Sequence, residues 1–165
     1  MNPLQRALAC VGALTLFGLG ACGPQRVPLD VRFPSTETFL VARTMRIHIY
    51  ASDATTSCAS IVNAVSNGRA PDATPIHQTD EISACAVRAG LALPDPGAGP
   101  HLFLVEGLDR TGNATILAGC AQAEVYSGSR VEVSVYPTSA YEAAYEADTP
   151  ASGEDLDSRC GGGGV

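Results

Sequence analysis

Six cysteines and three histidines are the side chains of this 165-residue chain best suited to covalent or metal chemistry. Cys10 lies inside an apolar stretch and reads as a small apolar residue; Cys22 closes that stretch. Cys58, Cys85, Cys120 and Cys160 follow with gaps of 27, 35 and 40 residues. Structural zinc sites draw their ligands from closely spaced pairs, and neither C-x-x-C nor C-x-H occurs here. Four well-separated cysteines in an oxidising compartment read instead as two disulfides. Three pairings are open. The favoured one joins Cys58 to Cys120 and Cys85 to Cys160, with Cys58 to Cys85 nearly as good because it closes a shorter loop. Each bridge adds roughly 2–4 kcal/mol to a small core.

His48, His77 and His101 show no i,i+2 or i,i+4 spacing of a metal couple. They read as satisfied surface residues. The chain lacks G-x-S-x-G, H-E-x-x-H and P-loop motifs. Asp109–Asn113 has the acidic and glycine content of a calcium loop but not its D-x-D-x-D-G pattern, and reads as a turn. The expectation is a non-enzymatic protein with no catalytic residue, metal or cofactor.

Composition narrows the classes further. All ten basic residues are Arg, and the formal net charge is −7. An acidic chain without a basic cluster is not a nucleic-acid binder. An apolar fraction of 45% excludes a wholly disordered chain.

The elements that must position these residues begin with an export signal. Met1–Arg6 carries one positive charge, and Ala7–Leu19 is an uncharged apolar run. Thirteen residues are too few to span a bilayer, which takes about 20, but suit a signal-peptide core. The run ends at Leu19-Gly20-Ala21-Cys22, which resembles the lipobox of bacterial lipoproteins. The resemblance implies cleavage before Cys22 and a diacylglycerol on its thiol. Added acyl chains would anchor the protein stably in a membrane. Gly23, where Asp would signal retention at the inner membrane, implies an outer-membrane lipoprotein facing the periplasm or the cell surface.

Residues 1–21 are therefore read as signal peptide and 22–37 as a lipidated tether. Pro24, Pro28 and Pro34 favour extended, unpaired chain in the tether, with an edge strand at Leu29–Phe33 as the competing reading. The body, 38–137, reads as strands around one helix. Thr44–Tyr50 alternates as a half-buried strand, with Arg46, His48 and Tyr50 on the polar face. Cys58, Ile61, Val62 and Val65 fall at helical spacing, between N-cap candidates at Thr55–Ser57 and a stop at Asn67-Gly68. Asn67–Thr79 is a loop and Glu81–Leu93 a second strand. His101–Leu108 is apolar on both faces and reads as a central strand. Ala114–Ala118 and Ala123–Tyr126 continue the sheet, with a bulge or bend at Gly119-Cys120. Ser127–Ser129 is a hairpin connection to the alternating strand Arg130–Tyr136. Residues 138–165 hold six carboxylates against Arg159 and end in Gly161–Gly164. They read as a disordered acidic tail.

The fold class expected is all-β: a small antiparallel β-sandwich with one short helix. Gly99–Val135 resembles the C-terminal half of small immunoglobulin-like or prealbumin-like sandwich modules, through its apolar strand, D-x-x-G-N type turn, Gly-Cys strand and V-x-V-x-V strand. The lipobox, the tether, the disulfide-permissive cysteines and the absent catalytic motifs together point to a non-catalytic binding, adhesion or accessory module carried on the membrane by its lipid. Its partner would be an unknown protein or surface ligand. The alternative is a structural accessory subunit of an envelope or secretion complex.

Overall fold

A computed structural model describes residues 25–150 and 153–161. Cys22 and the signal segment lie outside the described residues. Numbered along the chain, the first half comprises β1 (Arg26–Arg32), α1 (Thr36–Val41), β2 (Thr44–Ala51), α2 (Cys58–Ser66), β3 (His77–Gln78), β4 (Ile82–Ser83), α3 (Ala84–Arg88) and β5 (Leu91–Pro94). The second half comprises β6 (Gly99–Leu108), β7 (Thr115–Val125), β8 (Val131–Ser134), β9 (Tyr136–Pro137), α4 (Tyr141–Ala147) and α5 (Leu156–Cys160). The protein is β-rich, with two antiparallel-dominated sheets and short helices. Where one helix was expected, the described residues form five.

The larger sheet has the order β3-β2-β6-β7-β9, with β4 also paired to β2. Its centre is β6, which runs antiparallel to β2 and β7. Burial on both faces explains its apolar run Leu102–Val105. In the smaller sheet, of order β5-β1-β8, β1 runs antiparallel to β5 and parallel to β8. Val27, Leu29, Leu93, Val131 and Val133 of the smaller sheet share one core with Met45, Ile47, Ile49, Phe103, Val105 and Leu117 of the larger.

Several expectations are corrected. The extended tether gives way at Arg26 to the central strand of the smaller sheet. Pro28 is tolerated there because pairing with β8 begins only at Leu29. Glu81–Leu93 is not one strand. Its Ala-rich middle forms α3, started by the Ser83 hydroxyl, which accepts from Cys85 N at 3.3 Å. Alanine favours helix over strand. Ser127–Ser129 does not close a hairpin within one sheet: it carries the chain from β7 to β8 in the other sheet.

The tail is not disordered throughout. Averaged charge conceals Tyr141, Ala144, Tyr145, Leu156 and Cys160, which pack against the main core. A disulfide joins Cys85 to Cys160. Arg43 donates to Asp148 at 2.8 Å, and Arg159 donates to the Leu40 carbonyl. Residues 151–152 and 162–165 lie outside the described residues.

Candidate functional site

The alternation of β2 sends Met45, Ile47 and Ile49 into the main core and Arg46, His48 and Tyr50 to the opposite face. That second face is not left to solvent. Helix α2 lies over it, and Ile61 and Val65 pack on Tyr50, Leu102, Leu104 and Ala118. Two local devices start the helix. Asp53 accepts from the Thr55 hydroxyl and from the Thr55 and Thr56 amides, each at 2.8 Å. Those bonds hold its carboxyl down at about 2. Ser57 and Ser60 then form a reciprocal capping box. A disulfide joins Cys58, the first helical residue, to Cys120 on β7 with an S–S distance of 1.97 Å. The helix stops at Asn67 and Gly68, where φ of the glycine is +65°.

Beyond that stop, the loop over residues 66–71 overhangs the sheet and leaves a cleft of about 680 Å³. Arg46, His48, Glu106 and Thr115 lie at its floor. Ser139 fastens one end by donating to the Ser66 carbonyl at 3.0 Å.

The floor is a buried polar network. His48 and Glu106 are only 9% and 6% exposed. In register, His48 pairs with Leu104 and Arg46 with Glu106, so His48 meets Glu106 on the diagonal. The His48 Nε2 to Glu106 Oε2 distance is 2.7 Å. This is close enough for an ion pair, yet neither ring nitrogen has a partner in hydrogen-bond geometry, so the approach is off the N–H axis. The other carboxylate oxygen accepts from the Thr115 hydroxyl at 2.8 Å. Arg46 is held to Glu81 at 3.0 Å. Burial pushes the Glu106 carboxyl up, but His48, Thr115 and Arg46 together outweigh it and hold it below its usual range. Burial, reinforced by the Glu106 charge, pushes the Tyr50 phenol up to about 12.

Thr115 reaches this floor because of a bulge. Gly107 pairs with Leu117 and Leu108 with Thr115, so Ile116 is an extra residue on β7. Without it, Thr115 would share the parity of Leu117 and face the main core. The irregularity therefore sits near Gly107 and not at Gly119-Cys120. Gly119 instead permits close approach of backbone: a Cβ there would meet the Ser134 carbonyl oxygen at 2.1 Å.

The three histidines do not come together. His48 is buried at the floor of the cleft. His77 sits on β3, paired with Ile49. His101 is 7% exposed, its Nδ1 2.9 Å from the Gly99 carbonyl oxygen. The expectation of surface histidines thus fails for His48 and His101, because both faces of the larger sheet are covered. No group of three His, Cys, Asp or Glu residues suited to a metal occurs among the described residues. No helix among them is long and apolar enough to cross a membrane. Cys22, the expected lipidation site, lies outside them.

Sequence reasoning missed Glu106 and Thr115 as site residues. The one available signal was a charged residue inside the otherwise apolar run of β6, which is costly to bury unless paired.

Compared with known family models, curated proteins and solved structures, the chain has no match. Its own geometry defines a β-rich, two-sheet domain with a cleft at the C-terminal end of α2.

Proposed function

We propose that this protein is an exported, lipid-anchored binding module. Its two sheets form a small β-sandwich, and it captures a small polar ligand in the cleft beneath the loop over 66–71. The observation that carries the reading is the His48–Glu106 pair, buried at the floor of an open polar cleft. A buried charge with a shifted pKa beside a cleft marks a candidate working site. The cleft volume falls within the ~300–1,000 Å³ of small-molecule sites. The four cysteines, joined as two disulfides, suit an oxidising compartment outside the cytoplasm. We read the role as non-catalytic: the hydroxyl of Ser139 is committed to the Ser66 carbonyl and that of Thr115 to the Glu106 carboxylate. Anchoring would fall to Cys22, in the lipobox-like Leu19-Gly20-Ala21-Cys22.

Two measurements test this. Radiolabelled palmitate should enter the wild-type protein and not Cys22→Ala; no label in the wild type removes the anchor. A thermal-shift panel of small neutral and charged solutes should stabilise the wild type more than Ala70→Trp, whose indole would fill the cleft. Equal shifts in both proteins would remove the binding role.

A further inference from the structure

We infer that the cleft takes an acidic sugar: a small molecule with one carboxylate and several hydroxyls. The inference deepens the binding role proposed above and rests on it.

Charge is the first argument. The protein as a whole is acidic, yet the cleft is lined by Arg46, Arg69 and His48 against Glu106. Glu106 is engaged by His48 and Thr115, and Arg46 by Glu81. Arg69 is exposed, donates only to Asn63 Oδ1 at 3.3 Å, and forms no ion pair among the described residues. Its guanidinium is the cation left to meet a ligand, and its forked donors match a carboxylate.

His48 supplies the second argument. Nε2 lies 2.7 Å from Glu106 Oε2, and in the neutral tautomer that carries its proton on Nε2 the other ring nitrogen, Nδ1, is an acceptor. That nitrogen is buried and has no partner. A bare anion such as phosphate dianion offers no donor to satisfy it; a hydroxyl does. Gln78, Asn113 and Asn67 also line the cleft, and each carries both a donor and an acceptor, as hydroxyl recognition requires.

What is missing from the lining points the same way. No aromatic ring other than the His48 imidazole lines the cleft among the described residues, so a flat base has no broad stacking platform. A ligand held by edge hydrogen bonds and one charge fits better.

Calorimetry of the full chain with glucuronate, glucose and inorganic phosphate tests the inference. Glucuronate should bind, with glucose and phosphate weaker by at least about tenfold, and Arg69→Gln should reduce glucuronate to the level of glucose. Arg69 is exposed and outside both cores, so the variant should fold. Equal binding of glucuronate and glucose, unchanged in Arg69→Gln, would overturn the acidic class while leaving the cleft a binding site. Phosphate binding as tightly as glucuronate would overturn the need for hydroxyls. Heat from none of the three would overturn the inference. The binding role itself falls only if the wider panel also fails to separate wild type from Ala70→Trp.

Discussion

Gly119 on β7 lies directly under Ser134 on β8, so close that a methyl group on it would sit 2.1 Å from the Ser134 carbonyl oxygen. Gly119 belongs to the larger sheet and Ser134 to the smaller, so this is where the two backbones meet. Glycine is required there by proximity, not by an unusual φ. Gly119→Ala should push the strands apart and destabilise by about 1–3 kcal/mol, the usual cost of overpacking. Urea unfolding of the full chain reads this directly. An unchanged midpoint would mean the sheets are not so tightly apposed.

Glu106→Gln should cost about 1–3 kcal/mol at neutral pH, because it removes the buried charge facing His48 and leaves Thr115 a weaker acceptor. The acid limb carries a second signature. The folded carboxyl lies below its usual range, so the unfolded chain takes up the proton first as pH falls. The stabilisation is present above the ordinary carboxylate pKa and is lost as pH drops through the folded one. Arg46, His48, Tyr50, Glu81 and Arg69 are the other ionisable groups around this face. The wild type should therefore lose stability below about pH 4.5, and Glu106→Gln should show a flatter acid limb. Parallel acid limbs would remove Glu106 from the account.

Tyr50 governs the alkaline side. Its phenol titrates at about 12 in the fold against 10.0 ordinarily. The unfolded chain ionises first, so this contribution is complete below pH 10 and disappears as pH rises toward 12. A difference of that size corresponds to about 3 kcal/mol. Tyr141 and Tyr145 are raised as well, so ultraviolet titration should show several tyrosines ionising late, with the step at about 12 lost in Tyr50→Phe. A full tyrosine signal near pH 10 in the folded wild type would contradict it.

The Cys85–Cys160 disulfide closes 75 residues and the Cys58–Cys120 disulfide 62. By the loop-entropy account each constrains the unfolded chain by about 4 kcal/mol. Their local effects should differ. Cys160→Ser should free α5 from α1 and α3, giving fast amide exchange over 156–160 while α2 stays protected. Cys58→Ser should do the reverse, loosening α2 over the larger sheet. Hydrogen exchange resolved by segment separates the two; identical patterns would show that the bridges act only on global stability.

Much of the body is legible from residue pattern. The alternation in Thr44–Tyr50, the apolar run His101–Leu108 and the capped stretch Cys58–Ser66 each specify one element through local chemistry. Glu81–Leu93 misleads because period-2 and helical patterns are hard to separate over so short a segment, and three short elements share it. Arg26–Arg32 misleads because its proline and those flanking it speak for unpaired chain, whereas the ladder to β8 starts only after Pro28. The acidic tail misleads because an excess of carboxylates says nothing about the few apolar residues that anchor it.

The candidate site is less legible. Alternation places His48 opposite the core, which reads as exposure, but alternation cannot say whether a second layer covers that opposite face. Thr115 and Glu106 meet only because Ile116 is an extra residue in β7, and a bulge leaves no mark on binary pattern. By itself the sequence determined the type and approximate extent of the main strands and of α2. It also marked the separation of its cysteines as that of disulfides rather than a metal site. These follow from local backbone preference and from spacing along the chain. Only the tertiary structure decided that both faces of the larger sheet are covered, that the tail is tied to the core, and that His48 and Glu106 share a buried floor, because each depends on contacts between segments tens of residues apart.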